Sequence, residues 1–90
     1  MKTLIIRHKV SDFAIWKKAY DAHASARAGG GIAKERVTRS VDDPREVVLI
    51  FDISDFAKAR AFVASEDLRS TMQAAGVTDK PDVFFVDDAG

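Results

Sequence analysis

Four short stretches of β-forming residues recur along the chain, and segments of helical periodicity follow the first and the third. The stretches are residues 3–10, 32–41, 46–53 and 83–86. Ser or Asp follows each of them, as is typical where a strand gives way to a turn or a helix. We therefore predict four strands. Asp42, Asp43 and Pro44 have the composition of a turn, so the second and third strands should form a hairpin.

Apolar and aromatic residues recur at spacings of three and four between these strands, which is the period of one helical face. The first predicted helix spans residues 12–28, with Phe13, Trp16, Tyr20, Ala24 and Arg27 on one face. A second helix spans residues 56–64, and a short third helix follows a break at residues 65–67. The buried residues predicted for these two helices are Phe56, Ala59, Val63, Leu68, Met72 and Ala75. Glycines at 29–31 and at 76 should end the first and third helices, because glycine adopts the left-handed conformation found at many helix ends.

The tetrapeptide Ser-Asp-Phe-Ala occurs twice, at residues 11–14 and 54–57. Each copy follows a predicted strand and opens a predicted helix. Ser11 is a natural N-cap, and Asp12 suits the positive end of the helix dipole. Two repeated strand–helix units predict an α+β fold, namely a ferredoxin-like βαββαβ domain with a four-stranded antiparallel sheet.

The third strand carries apolar side chains on both faces. Val47, Leu49 and Phe51 point to one side and Val48 and Ile50 to the other, because successive side chains of a strand alternate. The helices of a βαββαβ domain cover one face of its sheet and leave the other bare. Burying an apolar side chain stabilises a protein by roughly 1.5–3 kcal/mol. We therefore predict a homodimer in which two sheets pack face to face as a dimeric α/β barrel.

The composition fits a single domain spanning residues 1–90. A domain this small is marginally stable by itself, and the absence of cysteine removes disulfides and thiolate ligands, which again favours self-association. Fourteen Lys and Arg balance 14 Asp and Glu, so the chain lacks the basic surface of a nucleic-acid binder or a polybasic membrane binder. The apolar run at residues 4–6 is too short for a signal peptide or a membrane span, and we expect a cytoplasmic protein.

The buried face of the first helix carries an indole, a phenol, an imidazole and a guanidinium, from Trp16, Tyr20, His23 and Arg27. Such groups converging on one site are typical of a pocket for a flat, partly polar ligand. The alternative is that these long side chains reach from the core to solvent at the helix edges. His23 is the candidate catalytic residue, since imidazole titrates near neutral pH. Otherwise it is a boundary histidine that hydrogen bonds to a carbonyl or to water.

Two strand residues, His8 and Arg39, are further candidates for ligand binding. Arg7 and His8 point to opposite faces of the first strand, and the sequence does not decide which of them faces the helices. His8 either binds a ligand or forms a structural hydrogen bond with Asp12. Arg39 either binds a carboxylate or enolate, or is a solvated arginine of an edge strand. Two histidines do not make a metal-ligand motif, so we expect no metal site.

Residues 7–13 read Arg-His-Lys-Val-Ser-Asp-Phe, and Trp16, Lys17, Tyr20 and His23 follow on a helix that glycine closes. Asp-Asp-Pro at residues 42–44 and Ala-Gly-Val at residues 75–77 complete the pattern. With these motifs almost the whole chain resembles the dimeric α/β-barrel superfamily, and within it the antibiotic-biosynthesis-monooxygenase-like proteins. The resemblance implies a homodimer with a ligand site between the helices and the sheet of each subunit.

The resemblance implies two kinds of function. Members of the superfamily include cofactor-independent monooxygenases, haem-degrading enzymes, polyketide cyclases and lactone isomerases. The first possibility is therefore an enzyme that needs no cofactor and oxidises, isomerises or cyclises a small aromatic or polyketide-like substrate. The best-known oxidation sites use an asparagine with a tryptophan and a histidine or second tryptophan, whereas this chain has no asparagine and one tryptophan. The second possibility is a non-catalytic homodimer that binds a ligand or serves a structural role.

Overall fold

The computed structural model of the protein describes all 90 residues. Its elements in chain order are β1 (Lys2–Lys9), α1 (Phe13–Ala22), α2 (Ala24–Ala28), β2 (Ile32–Arg39), β3 (Glu46–Ile53), α3 (Phe56–Val63), α4 (Glu66–Ala74) and β4 (Asp82–Asp87). All four predicted strands are present. β2 ends two residues earlier than predicted because Ser40 begins the hairpin turn, where its hydroxyl accepts hydrogen bonds from the N–H groups of Asp42 and Asp43.

The strands form one sheet in the order β2-β3-β1-β4, and every neighbouring pair is antiparallel. This is the strand order of a ferredoxin-like βαββαβ domain, so the predicted fold class is confirmed. β1 and β3 lie in the centre of the sheet, with Leu4 opposite Phe51 and His8 opposite Val47. The buried core lies between this sheet and the helices, and it includes Trp16 and Tyr20 of α1 and Ala59 of α3.

The repeated tetrapeptide marks two equivalent junctions between a strand and a helix. Asp12 and Asp55 are the N-caps of α1 and α3, and both have an extended backbone. Their carboxylates accept hydrogen bonds from the N–H groups of Ile15 and Lys58, at 3.1 and 3.0 Å. The cap is therefore Asp12 and not the predicted Ser11, because the side chain of Asp12 accepts the N–H group of Ile15, three residues further on.

The predicted first helix is two helices, α1 and α2, which meet at His23. The N–H group of His23 donates to the carbonyl of Tyr20, one residue closer than in an α-helix. The guanidinium of Arg27 also donates to that carbonyl. These two donors occupy the acceptor that the N–H group of Ala24 would need, so the α-helical ladder breaks there. As a consequence Ala24, predicted to be buried, lies exposed on the surface.

A glycine is required where α2 gives way to β2. Gly31 has a φ of 71°, a conformation that residues with a side chain rarely adopt. Its carbonyl accepts the N–H groups of Ser54 and Asp55 at 2.8 and 3.1 Å, and a β-carbon at this position would collide with the carbonyl of Asp55. Gly31 thus fixes the start of β2 against the end of β3.

A β-bulge in β2 exchanges the two faces of that strand. Ala33 pairs with Asp52, but the next paired residue is Arg36, which lies opposite Ile50. Two residues of β2, Lys34 and Glu35, therefore oppose the single residue Phe51 of β3, and Lys34 has a φ of 49° within the bulge. One extra residue moves every later side chain to the opposite face. For this reason the side chains of Glu35 and Arg39 contact residues of the helices.

The sheet is apolar on both faces, as predicted from β3. Val47, Leu49 and Phe51 are buried under the helices. The other face, here called the outer face, carries Ile5, Val48, Ile50, Phe84 and Val86, which adjoin one another in the strand register. Phe84 is 52% exposed and Val86 is 44% exposed. None of the four helices is long and apolar enough to span a bilayer.

Candidate functional site

A cavity of about 40 Å³ lies between the helices and the sheet. Its walls are mostly apolar, and include Ile6, Leu49, Phe51, Phe62, Leu68 and Met72. A groove of about 240 Å³ adjoins the cavity, and Ile6, Leu68 and Met72 line both spaces. The cavity alone has room for water but not for benzene, which occupies a cavity of about 150 Å³. Movement of the half-buried Leu68 and Met72 would join the cavity to the groove. The combined volume would then approach the ~300 Å³ of the smaller ligand sites.

His8 lies on the cavity side of β1, and this resolves the question that the sequence left open. The residue is 1% exposed, and it lines the cavity. Its Nδ1 atom is the one buried side-chain nitrogen or oxygen in the chain without a hydrogen-bond partner. The expected hydrogen bond to Asp12 does not form, because the carboxylate of Asp12 caps α1. An unpaired buried nitrogen of this kind costs about 1–3 kcal/mol of stability.

Arg7 points the opposite way and has no part in the cavity. Its guanidinium donates to Glu46 at 2.7 Å and to Asp82 at 2.9 Å, with Asp79 at 3.4 Å. All its charge partners are thus supplied by neighbouring strands and by the loop before β4. The sequence could not choose between Arg7 and His8 because β1, like β3, has aliphatic residues in both of its alternating sets.

Burial lowers the pKa of His8 and outweighs the raising effects of the Asp79 charge and of the backbone of His8 itself, while the charge of Arg7 adds a smaller lowering. The folded protein therefore binds a proton at His8 less readily than the unfolded chain does. Between the ordinary histidine pKa of about 6.5 and the lower value in the folded state, stability must fall as the pH falls. We expect the contribution of His8 to reach at most about 1.4 kcal/mol per pH unit in this window.

The measurement is urea unfolding of wild type and His8→Phe at pH 7.5, 6.5 and 5.5 and at one protein concentration. The free energy of unfolding should decrease more steeply with acidification in wild type than in His8→Phe. All other titrating groups are common to both proteins, so their effects cancel in the difference. Parallel pH profiles would show that His8 is not a buried neutral imidazole.

Trp16 and Tyr20 form an aromatic stack along the cavity wall. Their ring centroids are 5.0 Å apart with an interplanar angle of 26°. The ring of His8 meets Trp16 edge-on at 5.6 Å. Trp16 and Tyr20 both line the cavity and are 3% and 9% exposed. The predicted aromatic face of α1 is therefore a wall of the cavity and a part of the core at the same time.

Glu35 joins Tyr20 and Arg27 in one network at the end of this stack. Its Oε2 atom accepts hydrogen bonds from the Tyr20 hydroxyl and from Nε of Arg27, both at 2.8 Å. The Arg27 guanidinium also lies 3.6 Å from the centre of the Tyr20 ring. Burial, together with the bond to Glu35, raises the pKa of Tyr20. The positive charge of Arg27 is thus neutralised within the protein and is not free to bind an anion.

The carboxyl group of Glu35 stays ionised in this network. Burial by itself would raise the pKa of Glu35, but the hydrogen bonds from Tyr20 and Arg27 hold it below the usual value. An ionised carboxylate accepts hydrogen bonds only, so Tyr20 must act as the donor. The phenol is therefore held in its protonated form with its hydrogen directed to Glu35.

His23 lies at the junction of α1 and α2, where it lines the cavity. Its Nε2 atom is 2.9 Å from a carboxylate oxygen of Asp67 on α4, and its ring stacks on Phe62 at 6.3 Å. The hydrogen-bond partner of His23 is therefore a carboxylate and not the carbonyl or water expected for a boundary histidine. Because a carboxylate accepts hydrogen bonds, Nε2 carries the hydrogen and Nδ1 of the neutral ring is an acceptor. A histidine oriented by an acidic residue in this way is suited to proton transfer.

The structure thus brings five of the six candidates together, and Arg39 lies apart from them. His8, Trp16, Tyr20, His23 and Arg27 all line the cavity. The guanidinium of Arg39 lies 4.2 Å over the ring of Phe13, and the residue does not line the cavity. No group of three or more His, Cys, Asp or Glu side chains is arranged to hold a metal ion.

Sequence reasoning missed Glu35 and Asp67, the acidic partners of the network and of His23. The role of Glu35 could not be predicted from the sequence, because its side chain faces the helices as a result of the bulge and not of simple strand alternation. Asp67 lies 44 residues beyond His23, in a stretch predicted to break a helix. The one feature of Asp67 that could have drawn attention to it is its place as an acidic residue in the first turn of α4.

Structural comparison finds the same fold in antibiotic biosynthesis monooxygenases. One such protein matches with a TM-score of 0.75 and 18% identity over 100% of both chains. SnoaB, a cofactor-independent oxygenase from Streptomyces nogalater, matches with a TM-score of 0.71 and 18% identity over 98% of this chain and 94% of its own. The ActVA-Orf6 monooxygenase of Streptomyces coelicolor, in complex with nanaomycin D, matches with a TM-score of 0.69 and 16% identity, over 99% and 88% of the two chains.

These similarities confirm, at the level of the subunit fold, the predicted resemblance to antibiotic-biosynthesis-monooxygenase-like proteins. No protein-family sequence model and no curated protein sequence matches the chain. With identities of 16–18%, the fold does not carry over an activity, which has to be argued from the residues of the cavity.

Proposed function

We propose that the protein binds a small aromatic or polyketide-like molecule in the cavity and transfers a proton on it, without a cofactor. The observation that carries this proposal is the placement of His8 and His23 in a mostly apolar wall. Apolar surface holds a flat molecule by excluding water, and a few polar groups fix its orientation. The ligand extends from the cavity into the groove by displacing Leu68 and Met72, which line both spaces.

His23 is the proposed catalytic residue. Asp67 holds its ring and keeps the hydrogen on Nε2, which leaves Nδ1 to accept a proton from the ligand. Trp16 and Tyr20 line the ligand site with their stacked rings, and Arg27 lies against the ring of Tyr20. Arg39 has no role in this proposal because it lies on Phe13. Acceptance and return of a proton is the chemistry of an isomerase or a cyclase.

Oxidation of the substrate is a second candidate, and the shared fold with SnoaB, a cofactor-independent oxygenase, favours it. Removing a proton from an acidic C–H group leaves a carbanion that dioxygen can oxidise. The chain offers one tryptophan and no asparagine, so the residues that serve the best-known oxidation sites are incomplete here. Proton transfer alone needs only His23 and an anchor for the ligand.

A non-catalytic homodimer is the alternative, and the small volume of the cavity favours it. In that case His23 and Asp67 would serve to join α1 and α2 to α4. The homodimer belongs to both proposals, because the outer face of the sheet needs a cover. A cytoplasmic location, expected from the sequence, is also part of the proposal.

Anthrone tests these functions, because its CH2 group between two aromatic rings is acidic. Binding is followed at the single indole N–H signal of Trp16, and proton transfer by exchange of the CH2 hydrogens for deuterium. Wild type should shift the signal and accelerate exchange. His23→Gln should keep the binding and lose roughly 10²–10⁴-fold in exchange rate. Uptake of one dioxygen with formation of anthraquinone and water would identify a monooxygenase.

Two other outcomes decide against catalysis. Binding without exchange, or equal exchange in wild type and His23→Gln, supports the non-catalytic alternative. An unshifted Trp16 signal, together with no exchange, would remove the support for a ligand site. Ile15→Ala serves as the control variant, because Ile15 lies on α1 but is exposed on its far side.

A further inference from the structure

Three polar side chains of the cavity wall already have a hydrogen-bond partner within the protein. Tyr20 and Arg27 are bound to Glu35, and Nε2 of His23 is bound to Asp67. Thr71 is half-buried at the rim, where water can reach it. His8 is 1% exposed, and its Nδ1 atom is the one fully buried side-chain nitrogen or oxygen of the chain that has no partner. Besides Nδ1 of His23, a ligand that enters the cavity therefore meets a buried imidazole with an unsatisfied nitrogen.

We infer that His8 selects the ligand by pairing with a neutral hydroxyl group at the end of the molecule that enters the cavity. This inference rests on the proposed function. A neutral imidazole has one nitrogen that donates and one that accepts. A hydroxyl group both donates and accepts, so it can satisfy either nitrogen. A plain hydrocarbon leaves His8 unpaired, as it is without a ligand.

The charges around the cavity exclude a carboxylate as the ligand group that pairs with His8. Arg27 is neutralised by Glu35, and Arg7 and Arg39 lie outside the cavity. No free positive charge lines the cavity, and an anion would lose its hydration there without compensation. The part of the ligand that enters the cavity is therefore neutral and carries a phenolic, enolic or alcoholic hydroxyl group on an apolar body.

Three probes of similar size separate these possibilities: phenol, toluene and benzoate. Each is titrated into the whole protein while the Trp16 indole N–H signal is followed. Phenol should bind roughly tenfold more tightly than toluene, as expected for one paired buried group, and benzoate should bind more weakly than either. In His8→Phe, toluene should still bind and the preference for phenol should fall below about twofold.

A ring-nitrogen measurement on wild type supports the inference without relying on a folded variant. In protein labelled with ¹⁵N at histidine, phenol should shift the imidazole signals of His8, and toluene should leave them in place. His23→Gln leaves one histidine and so assigns the signals. His8→Leu is the second variant if His8→Phe does not fold.

The outcomes that overturn the inference differ from those that overturn the proposed function. Equal binding of phenol and toluene by wild type, or an unchanged preference for phenol in His8→Phe, would contradict selection by His8. Either result would still be consistent with the proposed ligand site. Loss of the preference in Thr71→Val, with His8→Phe unaffected, assigns the hydroxyl to Thr71 and also overturns it. If no probe moves the Trp16 signal, the ligand site itself fails, and the inference fails with it.

Discussion

Phe84→Asp should convert the protein from a dimer to a folded monomer. Phe84 lies on the outer face beside Ile5, and more than half of its side chain is exposed in the single chain. The substitution therefore removes little from the core of each subunit but places a charge in the proposed interface. Loss of a hot-spot residue at the centre of an interface costs about 2 kcal/mol or more, which corresponds to a dimer roughly 30-fold weaker.

Light scattering after size exclusion, at micromolar protein concentration, measures this directly. Wild type should have twice the mass of the chain, and Phe84→Asp should have the mass of one chain with an unchanged circular dichroism spectrum. Ile15→Asp is the control, since Ile15 is 62% exposed but lies on α1, on the helical side of the domain. A monomeric wild type, or a dimer that persists in Phe84→Asp, would contradict packing through the outer face.

Trp16→Ala should lower the free energy of unfolding by about 3–5 kcal/mol, the range for deleting a large buried aromatic side chain. Trp16 packs between His8, Phe13 and Tyr20, with ring centroids 5.0–5.7 Å away. Its removal extends the existing cavity and leaves three aromatic contacts unmade. A loss of this size is a large part of the 5–15 kcal/mol that stabilises a typical small domain.

Urea unfolding of the two proteins at equal concentration measures the loss. Ile15→Ala is the matched control on the same helix, and it should change the free energy of unfolding by less than about 0.5 kcal/mol. A loss below 1 kcal/mol in Trp16→Ala would mean that the indole is not integral to the core and that the wall of the cavity is mobile. In that case, titration of Trp16→Ala with toluene would test whether the cavity is still present in the variant.

The local features of the fold could be derived from the chain alone. The alternation of β3 places apolar groups on two faces whatever surrounds the strand, because side-chain direction follows from the extended backbone. The carboxylates of Asp12 and Asp55 cap their helices through N–H groups three residues away, an interaction that needs no other part of the protein. With the order of strands and helices, these features were sufficient to predict the βαββαβ arrangement.

The candidate site depended on contacts between distant segments. The split at His23 arises because Arg27 and a shortened turn share one carbonyl, and the ion pair of Arg27 with Glu35 exists only once the β2 bulge has formed. That bulge also directs Arg39 to Phe13 and away from the cavity. Whether Arg7 or His8 points into the cavity depended on which face of β1 the helices pack against.

The sequence therefore determined the elements, their caps and the class of the fold, since these rest on interactions within a few residues. It also supplied most of the aromatic and polar residues of the cavity, because helical spacing places them on one face of α1. Tertiary structure decided which of them are paired, with Glu35 and Asp67 as the partners, and which nitrogen is left alone at His8. A hydrogen bond depends on positions within a few tenths of an ångström, and only the packing of all the elements fixes those positions.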